Sequence, residues 1–129
     1  MATRQVLNRP GYSSAILSEA TVHNGVVYCA GKVGLDPVKG TLVSDDVTEQ
    51  TRATLNLLKL VLATAGSDFT KLLKVNIYLI NMADFAAMNA VYTAMIPEPR
   101  PARICVTVSE LGKDAKIEMD CIAIAGDKL

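Results

Sequence analysis

An arginine, a cysteine and a glutamate near the end of this chain are the residue types best suited to do chemistry. Arg103 and Cys105 lie in the run Pro97-Glu98-Pro99-Arg100-Pro101-Ala102-Arg103-Ile104-Cys105-Val106-Thr107-Val108, and Glu118 lies in Lys116-Ile117-Glu118-Met119-Asp120-Cys121-Ile122-Ala123. The guanidinium fork of an arginine grips a carboxylate through two parallel charge-assisted hydrogen bonds. A glutamate nearby can orient or deprotonate a water. Cys105 has no histidine beside it in sequence to activate it as a nucleophile, so its backbone is the better candidate for a role. Read from the residues alone, a structural ion pair between Arg103 and Glu118 at a subunit seam is an equal alternative to a site.

Those side chains need rigid strands to hold them. Three alternating prolines impose an extended approach, and two alternating runs then flank the turn chemistry of Leu111-Gly112-Lys113-Asp114, the pattern of a β-hairpin. Alternation puts Ile104, Val106 and Val108 on one face and Arg103, Cys105 and Thr107 on the other. On the second strand Ile117, Met119, Cys121 and Ala123 share a face opposite Lys116, Glu118 and Asp120. With the apolar faces on the core, Arg103 and Glu118 are expected together on the non-core face.

The same segment, Pro101-Ala102-Arg103-Ile104-Cys105-Val106 followed by Ile117-Glu118-Met119, resembles the signature of the reactive intermediate deaminase family (Rid, also called YjgF). The resemblance extends through Ala30-Gly31-Lys32-Val33-Gly34-Leu35-Asp36-Pro37, Lys74-Val75-Asn76-Ile77-Tyr78-Leu79 and Asp84-Phe85-Ala86-Ala87-Met88-Asn89-Ala90-Val91-Tyr92. It implies a ferredoxin-like (chorismate-mutase-like) subunit in a homotrimer, with ligand clefts between neighbours. The implied activity is hydrolysis of 2-iminobutanoate, 2-iminopropanoate and related enamines to 2-keto acids and ammonia, without metal or cofactor. Carried over by residue, Arg103 binds the substrate carboxylate, Glu118 and the backbone at Cys105 position water and the imine nitrogen, and Gly31 and Asn89 line the cleft. The ungapped register puts Leu17 where the family has a pocket tyrosine, with Tyr12 as the alternative if residues are inserted. Ala30 and Lys32 depart from the small hydroxyl residue and the glutamine that flank Gly31 in the family. The runner-up reading is a non-catalytic metabolite-binding or regulatory trimer using the same cleft.

Composition agrees with a single-domain chain spanning residues 1–129. At 129 residues there is room for one core, half the residues are hydrophobic, and 13 basic residues balance 13 acidic ones. Zero net charge and no tryptophan give no electrostatic footprint for nucleic acid, which counts against an endoribonuclease, and no stretch has the apolar length of a membrane span. The start, Met1-Ala2-Thr3-Arg4-Gln5-Val6, has no secretory apolar region, so a cytoplasmic setting is expected, with the mitochondrion as the alternative. Cys29, Cys105 and Cys121 lack metal-type spacing, and His23 is the lone histidine, so reduced thiols and no metal site are expected.

The remaining elements read in order. Arg4 to Leu7 is an edge strand, and Ala20–His23 with Val26–Ala30 is a hairpin about Asn24-Gly25. Gly31 and Gly34 mark either a bulge or backbone opened to a ligand. Asp46, with Glu49 three residues on, caps a helix whose stripe is Val47, Thr54, Leu58, Val61, Leu62 and Ala65. Leu72 to Ile80 is a strand. Asn81 opens a second helix with Phe85, Met88, Val91, Tyr92 and Met95 on its apolar stripe, ended by Pro97. An α+β fold follows, one mostly antiparallel sheet with both helices on one face. The other sheet face carries Val26, Tyr28, Tyr78, Ile80, Ile122 and Ile124, an apolar patch expected to be buried against copies of the chain.

Overall fold

The computed structural model describes residues 3–127. Eight elements follow in the expected order: β1 (Gln5–Leu7), β2 (Ala20–His23), β3 (Val26–Val33), α1 (Val47–Thr64), β4 (Leu72–Leu79), α2 (Phe85–Met95), β5 (Ala102–Thr107) and β6 (Ile117–Ile124). Local chemistry sets most boundaries. Asn24 and Gly25 both take positive φ, 51° and 77°, the primed turn that matches strand twist and pairs β2 with β3. The Asp46 side chain accepts a hydrogen bond from the Glu49 backbone N–H at 3.1 Å and so starts α1. Asn81 accepts from the Ala83 N–H at 2.9 Å and holds a short 3₁₀ turn, Met82–Asp84, so α2 itself begins at Phe85.

The strand order in the sheet is β1-β2-β3-β6-β4-β5. Every pairing is antiparallel except β4 with β5, which is parallel. The hairpin expected from Pro97 to Ala125 is therefore absent: β4 lies between β5 and β6. The reason is the crossover. A strand that leaves β4 through a helix returns parallel to it, and α2 makes β4-α2-β5 one such unit. The turn at Gly112–Asp114 then lets the chain pass over the end of β4 to reach β6.

Both helices lie against one face of the sheet. Leu55, Leu58, Val61 and Leu62 of α1 and Met88, Val91 and Tyr92 of α2 close on Val27, Val75, Ile77, Leu79, Ile117, Met119 and Ala123. The opposite face leaves Tyr28 46%, Ile104 49% and Ile124 48% exposed. Ile104 and Val106 stand on that outer face, because β5 pairs Val75 with Arg103, Asn76 with Ile104, Ile77 with Cys105 and Tyr78 with Val106. This reverses the facing expected for β5. Its isoleucine and valine extend the outer apolar patch instead of entering the core, and Arg103 and Cys105 take the helix side.

Candidate active site

Arg103 sits on the open-edged strand β5, next to the core residue Val75 of β4 and under α2. Its guanidinium lies 4.8 Å from the centroid of the Tyr92 ring and 5.7 Å from that of Phe85. Cations favour the electron-rich faces of aromatic rings, so the two rings hold the group in place. Among the described residues no carboxylate pairs with Arg103. Cys105, two residues on, shares this side and is half-buried; burial pushes its thiol pKa up, with the Arg103 charge opposing. That disfavours the thiolate a nucleophile requires. Asn89 lies on the same stripe of α2 as Phe85 and Tyr92, and its Oδ1 is buried without a hydrogen-bond partner among the described residues.

Glu118 is elsewhere. Its neighbour in register is Tyr78 on β4, and it stands on the outer face between the core residues Ile117 and Met119. Within one chain, then, Arg103 and Glu118 lie on opposite faces of the sheet, not together as expected. The expectation failed because it assigned the apolar side of β5 to the chain's own core.

Beside Glu118 the sheet narrows. The register of β3 against β6 shifts between Cys29 and Lys32, which brings Gly31 against the Glu118 side chain. A Cβ at position 31 would stand only 3.0 Å from the Glu118 carboxyl carbon and closer still to its Oε2. Two residues on in β6, Asp120 accepts hydrogen bonds from Asn76 Nδ2 at 2.7 Å and from Tyr78 Oη at 2.9 Å. Burial raises the pKa of Glu118 and the Asp120 charge raises it further. A carboxyl group whose pKa is raised in this way is a stronger base than an ordinary glutamate.

A third cluster was not foreseen. Glu19 is fully buried and accepts from the Arg9 backbone N–H at 2.9 Å, from Arg9 Nε at 3.0 Å and from Lys32 Nζ. Asn8 Oδ1 accepts from the Glu19 N–H at 2.8 Å. Burial alone would raise the Glu19 pKa, but these hydrogen bonds overcome it and bring the value down to about 2. The cluster ties the loop from Asn8 to Tyr12 over the end of β3, with the Tyr12 ring 4.8 Å from Lys32 Nζ. A cavity of about 480 Å³ opens there, lined in part by Tyr12, Gly31, Lys32 and Lys113. Leu17 lines a separate groove with Arg4 and Thr21. The legible signal was two opposite charges, Glu19 and Lys32, bracketing an apolar hairpin whose strands must pair.

Known proteins resemble the chain over almost all of its length. Residues 7–125 match the family described as Endoribonuclease L-PSP. The mitochondrial protein mmf1 of Schizosaccharomyces pombe is 43% identical over 128 residues, 96% of this chain and 78% of that protein. The Homo sapiens protein named 2-iminobutanoate/2-iminopropanoate deaminase is 35% identical over 115 residues, 89% of this chain and 80% of its own. The solved structure of E. coli TdcF with bound serine superimposes with a TM-score of 0.87 at 25% identity, covering 95% of this chain and 99% of that one. The match of residues 7–125 to that family, the 35% identity with the human deaminase and the shared fold place this chain in the YjgF/Rid family.

Proposed function

We propose that the protein hydrolyses reactive 2-imino acids and their enamine tautomers to 2-keto acids and ammonia, as a trimer whose sites form between neighbouring chains. The observation that carries this reading is the Arg103 guanidinium, held over the Tyr92 and Phe85 rings with no carboxylate partner among the described residues. A short 2-imino carboxylate supplies that partner. The deaminase among the relatives supports the substrate class.

The opposite-face placement of Arg103 and Glu118 supports a composite site. One chain contributes Arg103 and the open edge of β5 at Cys105; a second contributes the outer-face pair Gly31 and Glu118. Tyr28, Ile104 and Ile124 on that outer face stay 46%, 49% and 48% exposed in the single chain, which favours assembly through it. With the substrate carboxylate on Arg103, Glu118 takes a proton from water as the water oxygen bonds to the imine carbon, and returns that proton to the nitrogen. In the resulting carbinolamine Glu118 takes the hydroxyl proton and returns it to the nitrogen, so that ammonia leaves as the C–N bond breaks and the C=O bond forms. No net oxidation occurs, and Glu118 carries each proton from oxygen to nitrogen. Binding energy spent on the carboxylate holds the imine carbon in place for attack. The compartment follows the relative named as mitochondrial, which favours the mitochondrial setting over the cytoplasmic one.

The test couples a pyridoxal-phosphate-dependent dehydratase, as the source of imine, to timed keto-acid release. Wild type should accelerate release, while Arg103→Ala should abolish the acceleration and keep its oligomeric mass. Arg103→Lys should also be poor, since an ammonium cannot reproduce the fork. Saturable binding of 2-keto acids with no acceleration by wild type would replace catalysis with a binding role.

A further inference from the structure

The side chains around Arg103 do more than surround it. Phe85, Asn89 and Tyr92 recur at the spacing that aligns residues on one face of α2, and two of the three touch the guanidinium with their rings. We propose that Tyr92 and Phe85 are positioning residues that clamp Arg103 so that its hydrogen-bonding fork points at the substrate; the proposal rests on the carboxylate-binding role of Arg103 given above.

The geometry separates two uses of one group. An aromatic ring engages the flat face of a guanidinium, whereas a carboxylate is bound by N–H groups lying in its plane. Contact with Tyr92 and Phe85 therefore restricts the guanidinium without pairing its fork to a carboxylate of the described residues. A salt bridge would fix the side chain equally well and consume the fork. The chain uses rings, and no carboxylate among the described residues takes the fork.

The need for a clamp follows from where Arg103 lives. β5 is an edge strand, and the residue is only half-buried, so nothing in the sheet restricts a long side chain with several free torsions. Tyr92 can restrict it because Tyr92 is itself 2% exposed and packed in the core, the largest fully buried side chain among the described residues. Its Oη is buried without a hydrogen-bond partner among the described residues, a cost retained beside the one cation on β5. Burial raises the phenol pKa, with Arg103 opposing, so the ring stays neutral and the clamp does not titrate in the neutral range. Phe85, 38% exposed at the opposite end of the stripe, closes the second side.

The experiment uses the full chain and three variants, Tyr92→Phe, Tyr92→Leu and Phe85→Leu, with two readouts. Proton shifts of the Arg103 side chain report the rings directly, through their ring currents. They should lie upfield of unstructured arginine in wild type and Tyr92→Phe, and move back in Tyr92→Leu and Phe85→Leu. In the dehydratase-coupled assay, Tyr92→Phe should hold KM within about twofold, whereas Tyr92→Leu and Phe85→Leu should raise it about tenfold with kcat much less affected. A purely structural role for the rings would instead lower thermal stability and active fraction without moving KM. Unshifted Arg103 protons in wild type, or a KM within about twofold in a folded Phe85→Leu, would overturn the clamp. Phe85 is partly exposed, so that variant decides the matter even if Tyr92→Leu does not fold. If wild type hydrolyses no imine, the functional reading fails while the ring-current shifts still judge the clamp.

Discussion

Arg103 and Glu118 stand on opposite faces of one sheet, with β4 between their strands: Val75 is the neighbour of Arg103 and Tyr78 the neighbour of Glu118. If both serve one site, they must come from different chains. Mixing Arg103→Ala with Glu118→Gln, each inactive alone, should then restore activity after subunit exchange. In random trimers a seam holds both native residues with a probability of about one quarter, so recovery should approach about a quarter of wild type. No recovery in trimers shown by mass spectrometry to be mixed would place both residues in a single-chain site or in none.

Assembly itself is expected to depend on the outer face. A charge at Ile124 or Ile122 would be buried unpaired in a trimer, at a cost of several kcal/mol. Ile124→Asp should therefore sediment as a monomer where wild type sediments as a trimer. A wild-type monomer at micromolar concentration would remove the basis for a shared site.

Gly31 and Glu118 are fitted to each other, and Gly31→Ala tests that fit. The added methyl would meet the Glu118 carboxyl group, which must turn away. Because the methyl meets the far end of a flexible side chain, the displacement should cost little stability. Turnover should fall much further than the melting temperature, since the displaced group is the proposed base. Normal kinetics in Gly31→Ala would show that Glu118 can leave its position without consequence.

The Glu118 pKa is raised by burial first and by Asp120 second. As a base, Glu118 must be ionised, so the acid limb of kcat/KM should lie above the usual glutamate range. Removing the neighbouring negative charge in Asp120→Asn favours the ionised form, so the limb should shift to lower pH. An unmoved limb would assign the titration to another group.

Glu19 supplies a stability test away from the chemistry. Its folded-state pKa, about 2, lies below the ordinary 4.5. The ionised, bonded form therefore stabilises the fold above pH 4.5, and that contribution is lost as pH falls toward 2. Glu19→Ala would leave Lys32 and Arg9 without their shared anion and should cost about 3–5 kcal/mol. The pairing is direct, so Glu19→Ala with Lys32→Met should recover part of the loss in chemical denaturation. Full additivity of the two substitutions would argue against it.

Much of the fold was legible because its signals are local. The Asn24-Gly25 turn, the Asp46 cap with Glu49, the stripe from Val47 to Ala65 and the stop at Pro97 each depend on residues a few positions apart, and the structure has all of them. The site residues were legible as types: an arginine for a carboxylate, a glutamate for a proton, a glycine where backbone must come close. Their faces were not. Alternation shows that Arg103 opposes Ile104, but not which of the two faces the helices, because an apolar residue serves a chain's core and an intersubunit surface equally well. Partnering was not legible either. A strand, a turn and a strand read as a hairpin until the parallel crossover through α2 inserts β4 between them, and that choice is made by long-range pairing. The buried Glu19–Lys32–Arg9 cluster and the stacking of Arg103 on Tyr92 likewise join residues between 10 and 13 positions apart, beyond any local period. Only the packed chain decided them, since a buried charge or a half-buried cation must find its partner in space and not in sequence.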